Sequence, residues 1–176
     1  MSEHPIDVAR HRRVLERAAE LSGWRSRKEN GRALGIAVHS SFLTYVAVVI
    51  VVTQVSAGLR ADEAWIVADA GTTVNIERVR SQLEGAVVFG LSHALFGEIT
   101  MKDGATVQSN FRDFRLLRIG QVPRAIRVDV IESDGPSGGV GEPGVPPVAP
   151  ALTNAVFALT GMRVRTLPVV KTVAVA

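Results

Sequence analysis

The stretch NIERVRSQLEGAVVFGLSHAL, residues 75–95, carries the clearest periodicity in the chain. Ile76, Val79, Leu83, Val87, Leu91, Ala94 and Leu95 recur at spacings of three and four, which lays one apolar stripe along a helix. Asn75 stands where an N-cap belongs, since its side chain can accept from a free amide of the first turn. Gly85 and Gly90 lower helix propensity, so both are expected to admit another element closely. Working upstream, Ala64 to Ala68 reads as a strand closing on Asp69-Ala70-Gly71. Thr44 to Val55 is almost uniformly apolar, as in a strand covered on both faces, and Ala33 to His39 precedes it as another. Ile6 to Leu21 reads as a helix with Asp7 at its start, Gly23 after its end and Val8, Leu15, Ala18 and Ala19 inward. Arg25 to Arg32 is a polar linker. Downstream, strands around Ile99 and Val107 flank the turn Lys102-Asp103-Gly104, and Ala125 to Ile131 is another strand. Ala149 to Leu159 is a short helix ending at Gly161, Val164 to Leu167 is a last strand, and the tail beyond Pro168 is frayed or an edge strand. Strands of this kind with one long central helix and two shorter helices imply an α+β fold on a mixed, largely antiparallel sheet.

Composition narrows the chemistry. At 176 residues and 47% hydrophobic content the chain can fill a real core, and scarce aromatics leave the packing to Val, Leu, Ile and Ala. There is no cysteine, so neither a disulfide nor a thiolate-held cluster can form in this chain. His4, His11, His39 and His93 lack metal-ligand spacing, and no protein-held metal is expected. The formal net charge is +3, and eight Arg or Lys face three Glu between Arg10 and Arg32. Interleaved with Val14, Leu15 and Ala18, these cations make a solvated helix face rather than a nucleic-acid patch. The first 30 residues lack the apolar core of a signal peptide. The apolar run Tyr45 to Val52 falls far short of the ~20 residues a membrane span needs.

One acidic residue stands apart. Gly138 to Pro147 reads Gly-Gly-Val-Gly-Glu-Pro-Gly-Val-Pro-Pro, and Glu142 is its one carboxylate and the last acidic residue of the chain. Pro143 biases Glu142 towards an extended backbone, and the glycines allow close approach. Such a carboxylate is either a solvated loop residue or, in an apolar setting, a general base or acid of raised pKa. Gly139, Gly141 and Gly144 match G-x-G-x-x-G, but prolines on both sides and the lack of a downstream acid argue against a dinucleotide fold. Gly90-Leu91-Ser92-His93-Ala94 resembles a nucleophile elbow yet lies inside the long helix, so Ser92 reads as an ordinary helix serine. Asp69 to Asn75, small residues leading into a helix N-terminus, offers either plain capping or free amides for an anion such as phosphate. Gln82, two turns into the helix, can donate and accept to a heterocycle.

Five stretches together resemble the molybdenum-binding subunit of the xanthine dehydrogenase/aldehyde oxidase family, in its C-terminal part and its isoquinoline 1-oxidoreductase β-subunit type. They are Gly35 to Phe42, Ala70 to Val79, Gln82 to Ser92, Gln108 to Phe114, and the loop Gly139 to Pro147 with its continuation to Ala155. The resemblance spans about Arg10 to Pro168 in the right order. It implies a molybdenum-cofactor lobe over residues 33–168, preceded by a helix and linker (1–32) and followed by a tail (169–176).

The resemblance also implies a function. Glu142, in the family's Gly-x-Gly-Glu-Pro motif, takes the place of the base that activates water-derived oxygen at the molybdenum for hydroxylation of an N-heterocycle or an aldehyde. Gln82 takes the place of the glutamine beside the pterin, Gly139 and Gly141 would face the cofactor, and Gly71, Thr73 and Asn75 would lie near it. The cofactor would be molybdopterin, as its cytosine dinucleotide. The partners would be a complementary molybdenum-binding fragment and a [2Fe-2S] subunit, without which the chain would be inactive. No nucleic acid and no transmembrane segment are expected. The compartment would be the cytoplasm, with membrane association or export alongside a partner as alternatives. Departures point to a split gene, a separate lobe or a non-catalytic remnant or assembly module. Family subunits are several times longer, and the usual Cys-Gly-x-x-x-Asn-Pro reads Ala70-Gly71-Thr72-Thr73-Val74-Asn75-Ile76. Arg112, Arg115, Arg118 and Arg124 also add positive charge.

Overall fold

The computed structural model describes residues 5–24, 26 and 30–176; His4 and most of the polar linker expected from Arg25 to Arg32 lie outside them. Three long strands, β1 (Arg32–Ser41), β2 (Thr44–Val55) and β3 (Gly58–Asp69), form consecutive antiparallel hairpins. A short β6 (Ala125–Val130) joins β3 in parallel, giving the order β1-β2-β3-β6. The sheet is mixed and largely antiparallel, as expected. A separate two-stranded hairpin pairs β4 (Met101–Lys102) with β5 (Ala105–Thr106).

β2 explains why the sheet is covered twice. Val46, Val48, Ile50 and Val52 face one core with α2 (Ile76–Leu95) and α3 (Val148–Thr160), while Tyr45, Ala47, Val49 and Val51 face another with α1 (Val8–Ser22). Alternate residues of a strand point to opposite faces, so two helical layers demand an apolar residue at every position. The helices end by recognisable chemistry. Asp7 accepts from the amides of Ala9 and Arg10 to cap α1, Asn75 accepts from Arg78 to cap α2, and Gly23 and Gly161 take left-handed conformations after α1 and α3. α3 lies so close to β1 that a Cβ at Gly35 would sit inside the backbone of Ala151 and Ala155.

Several expectations are corrected. The inward residues of α1 are Val14, Ala18 and Ser22, and Val8 is 74% exposed. The third strand is far longer than Ala64 to Ala68, because β2 gives it a full-length partner. Gly90 abuts the Val148 side chain as expected, but Gly85 faces open space. No strand forms from Val164 to Leu167. Val164 packs against the core, and the Arg163 guanidinium stacks 3.4 Å from the centre of the Phe157 ring. That segment folds back over the end of α3 instead of pairing. Among the described residues the tail pairs through a parallel bridge between Leu59 and Val175.

Candidate functional site

The end of the sheet where β3 and β6 finish gathers most of the residues singled out in the sequence. The β1–β2 turn lies there, because Ser41 pairs with Thr44 and Tyr45 with Asp69. Its two central residues, Phe42 and Leu43, both have positive φ (51° and 65°), a conformation that costs non-glycine residues of order 1–3 kcal/mol each. The glycine loop seats on this turn: the Gly139 amide donates to the Phe42 carbonyl and the Gly138 amide to the Ala70 carbonyl, both at 2.8 Å. The backbone of Gly139 is therefore committed to holding the loop. Gly141 is the open position, where a Cβ would meet nothing within 4 Å; its amide has no hydrogen-bond partner among the described residues.

From Gly141 the loop passes Glu142 and dives under α2. Pro143 and Gly144 are buried, and a Cβ at Gly144 would stand 2.7 Å from the Ala86 Cβ and 3.2 Å from Ile66 Cδ1. Only glycine fits that crossing. Gln82 lies one turn before Ala86 on the same flank of the helix. Helix and loop thus meet at Ala86 and Gly144, one turn along α2 from Gln82 and two residues along the loop from Glu142. Both side chains are exposed and have no hydrogen-bond or ionic partner among the described residues. Of the two settings the sequence left open for Glu142, the structure gives the solvated one: Pro143, Gly144 and Ala86 are buried beside it, and the carboxylate faces water.

The turn before α2 behaves differently. Gly71 is buried with φ 70°, packed against the Gly135 and Pro136 carbonyls. Thr73 joins it in a hollow of about 390 Å³ that Thr72, Glu132, Ser133 and Asp134 complete. The Asn75 side chain is occupied in capping α2. Two carboxylates in the hollow oppose a phosphate there; Gly71 and Asn75 are committed to the turn, while Thr73, Gln82, Gly141 and Glu142 have no hydrogen-bond partner among the described residues. A further unsatisfied atom is Thr44 Oγ1, buried beneath Gly138 with no partner. Open donors and acceptors beside a side-chain-free position fit a flat heterocycle that needs hydrogen bonds along its edge. Among the described residues no group of three or more His, Cys, Asp or Glu could hold a metal.

Sequence reasoning missed one residue of this region. Asp69 is fully buried and receives Arg10 Nη2 at 2.6 Å and Nε at 3.1 Å, Arg13 Nη2 at 2.6 Å, Ser133 Oγ at 2.6 Å and the Gly71 amide at 3.1 Å. Burial alone would raise its pKa; the donors, led by Arg10, outweigh burial and hold it well below the usual carboxylate range. Arg10, in turn, is held charged by its bonds to Asp69. The solvated face expected of the early cations is thus corrected at Arg10 and Arg13, which clamp α1 onto the turn before α2, and at Arg17, which pairs with Asp129 and Glu20. The only sequence signal was an acidic residue ending an apolar strand.

Comparison with known proteins fits this geometry. A family model described as a molybdopterin cofactor-binding domain matches residues 13–123, which takes in Gln82 but stops before the glycine loop. The isoquinoline 1-oxidoreductase subunit beta of Brevundimonas diminuta is 34% identical over 160 residues, covering 88% of this chain and 20% of its own length. The membrane-bound aldehyde dehydrogenase [pyrroloquinoline-quinone] of Gluconacetobacter polyoxogenes is 38% identical over 104 residues, 59% of this chain and 13% of its own. Among solved structures, the aldehyde oxidoreductase from Desulfovibrio desulfuricans ATCC 27774 superposes with a TM-score of 0.60 at 27% identity, over 71% of this chain and 14% of that one. Quinoline 2-oxidoreductase from Pseudomonas putida 86 gives the same TM-score at 23% identity, over 72% and 17%, and supports the fold. The chain spans a fifth or less of the length of these relatives. It belongs to the molybdopterin cofactor-binding domains of the xanthine dehydrogenase/aldehyde oxidase family.

Proposed function

We propose that this chain is the C-terminal cofactor-binding lobe of a molybdenum hydroxylase that oxidises N-heterocycles or aldehydes. The observation that carries the reading is the crossing of the glycine loop under α2. Exposed Gln82 lies one turn from it along the helix and exposed Glu142 two residues from it along the loop, with no competing partners among the described residues. The cofactor, molybdopterin as its cytosine dinucleotide, supplies the two-electron redox chemistry when bound. Gln82 holds its heterocyclic edge by donating and accepting through one amide, and Gly141 lets it approach the backbone. Gly139 fixes the loop on the Phe42 turn, Gly71 and Asn75 fix the start of α2, and Thr73 lines the hollow on the cofactor's side. Glu142 receives the proton released as water-derived oxygen adds to the substrate carbon. No cation competes for the carboxylate among the described residues, and the walls around it come from a complementary molybdenum-binding polypeptide. Electrons leave through a [2Fe-2S] partner subunit, since this chain has no cysteine to hold such a cluster.

The test is a complex purified from the native host. The reading expects stoichiometric molybdenum and pterin, and dye-linked oxidation of isoquinoline-like or aldehyde substrates. Replacing Gln82 by Ala should lower retained pterin by about tenfold, in line with loss of a hydrogen-bonding partner to a bound heterocycle. A complex without molybdenum would overturn it. That result would favour a second reading, a non-catalytic remnant or assembly module, which has the solvent-facing Glu142 on its side.

A further inference from the structure

The flank that carries Gln82 continues along α2 past buried Ala86 to an exposed Phe89 beside His93. Gln82, Ala86, Phe89 and His93 follow one another at helical spacing, and the Phe89 and His93 rings meet at 4.2 Å. The His93 ring lies 5.9 Å from Phe114. Phe114 then shares a hollow of about 430 Å³ with Ile99, Gln108 and Phe111. Phe89 is 55% exposed, Ile99 58% and Phe111 88%. The segment bearing the last two aromatics is anchored: the Leu117 amide donates to Ser92 Oγ at 2.9 Å, and the Arg115 guanidinium stacks 3.8 Å from the centre of the Phe96 ring. Anchoring an aromatic segment with its rings in water leaves the cost of their hydration in place unless something covers them.

We propose that this aromatic stripe is the seat of the remainder of the molybdenum-binding subunit, whether joined to this chain or separate from it. The inference rests on the functional reading above and names the surface through which that reading is completed. Two observations identify the occupant. The chain spans 20% of the length of its isoquinoline 1-oxidoreductase relative, so in a family subunit a polypeptide several times larger must meet this lobe. The stripe is also continuous with Gln82, and through Ala86 and Gly144 with the glycine loop. A polypeptide seated on it closes over Glu142 and supplies the walls that this chain lacks.

The test places a photo-crosslinking benzoylphenylalanine at Phe111 of the full chain in its native host. A control places it at Ile119, 96% exposed and outside the stripe. Crosslinked peptides are identified by mass spectrometry, and molybdenum is measured in the same preparation. The proposal expects crosslinks from position 111, and none from 119, to a polypeptide of the same cofactor-binding family. It also expects Phe89→Asp with Phe111→Asp to cut co-purified partner at least about tenfold, with the melting temperature of the isolated chain unchanged. Crosslinks from 111 to a second copy of this chain or to an iron–sulfur protein would overturn it. So would a molybdenum-containing complex with no crosslink at 111, which leaves the functional reading standing. A preparation with neither molybdenum nor a family partner overturns both.

Discussion

Two carboxylates stand at the same end of the molecule in opposite circumstances. Asp69 is fully buried and saturated by two guanidinium groups, a hydroxyl and an amide. Glu142 is exposed and has no partner among the described residues. A carboxylate that receives every donor it can use is held ionised and cannot exchange a proton near neutral pH; its work is to fix α1, β3 and the turn before α2. A carboxylate left unpaired and exposed makes no bond that folding depends on. The difference marks Asp69 as a structural acid and leaves Glu142 as the one to which the proposed chemistry can be assigned.

That contrast can be broken by measuring stability. The largest effect is expected for Asp69→Asn, which leaves Arg10 buried without its counter-charge and should cost about 3–5 kcal/mol in denaturant unfolding. If the variant unfolds at the wild-type midpoint, Asp69 does not hold this end together. The pH dependence sharpens the same point. The folded pKa of Asp69 is depressed, so its stabilisation is complete above the ordinary carboxylate pKa of about 4 and is lost as pH falls below it. Unfolding midpoints should therefore decline below about pH 4 in the wild type, and less steeply in Asp69→Asn. Replacing Asn75 by Ala removes one cap bond and should cost about 1 kcal/mol. Smallest of all, Glu142→Gln should shift the stability of the isolated chain by less than about 0.5 kcal/mol. A larger loss would make Glu142 a structural residue like Asp69.

Much of this fold is legible in the residues. The three-and-four spacing from Ile76 to Leu95 gives α2 to within a residue, and the unbroken apolar run gives β2 with its double coverage. The parallel pairing of β3 with β6 is not legible, because six residues of alternating pattern do not report the direction of a neighbour. Asp69 escaped because its partners lie 56 and 59 positions earlier, on a helix whose cations look solvated when read by themselves. The site divides in the same way. Glu142 and Gln82 stand out by residue type and motif, and the glycine crossing between their two elements depends on local shape. The solvent exposure of Glu142 is one of two readings the loop leaves open, since burial depends on neighbours distant in sequence.

The decisive measurement is turnover by a molybdenum-loaded native complex carrying Glu142→Gln, normalised to its molybdenum content and compared with wild type. The substitution keeps size and hydrogen bonding while removing the proton acceptor. Loss of a general base costs roughly 10²–10⁴-fold in rate, so turnover should fall by at least about a hundredfold with molybdenum content and melting temperature unchanged. Wild-type turnover from that complex would contradict the assignment of Glu142 as the base.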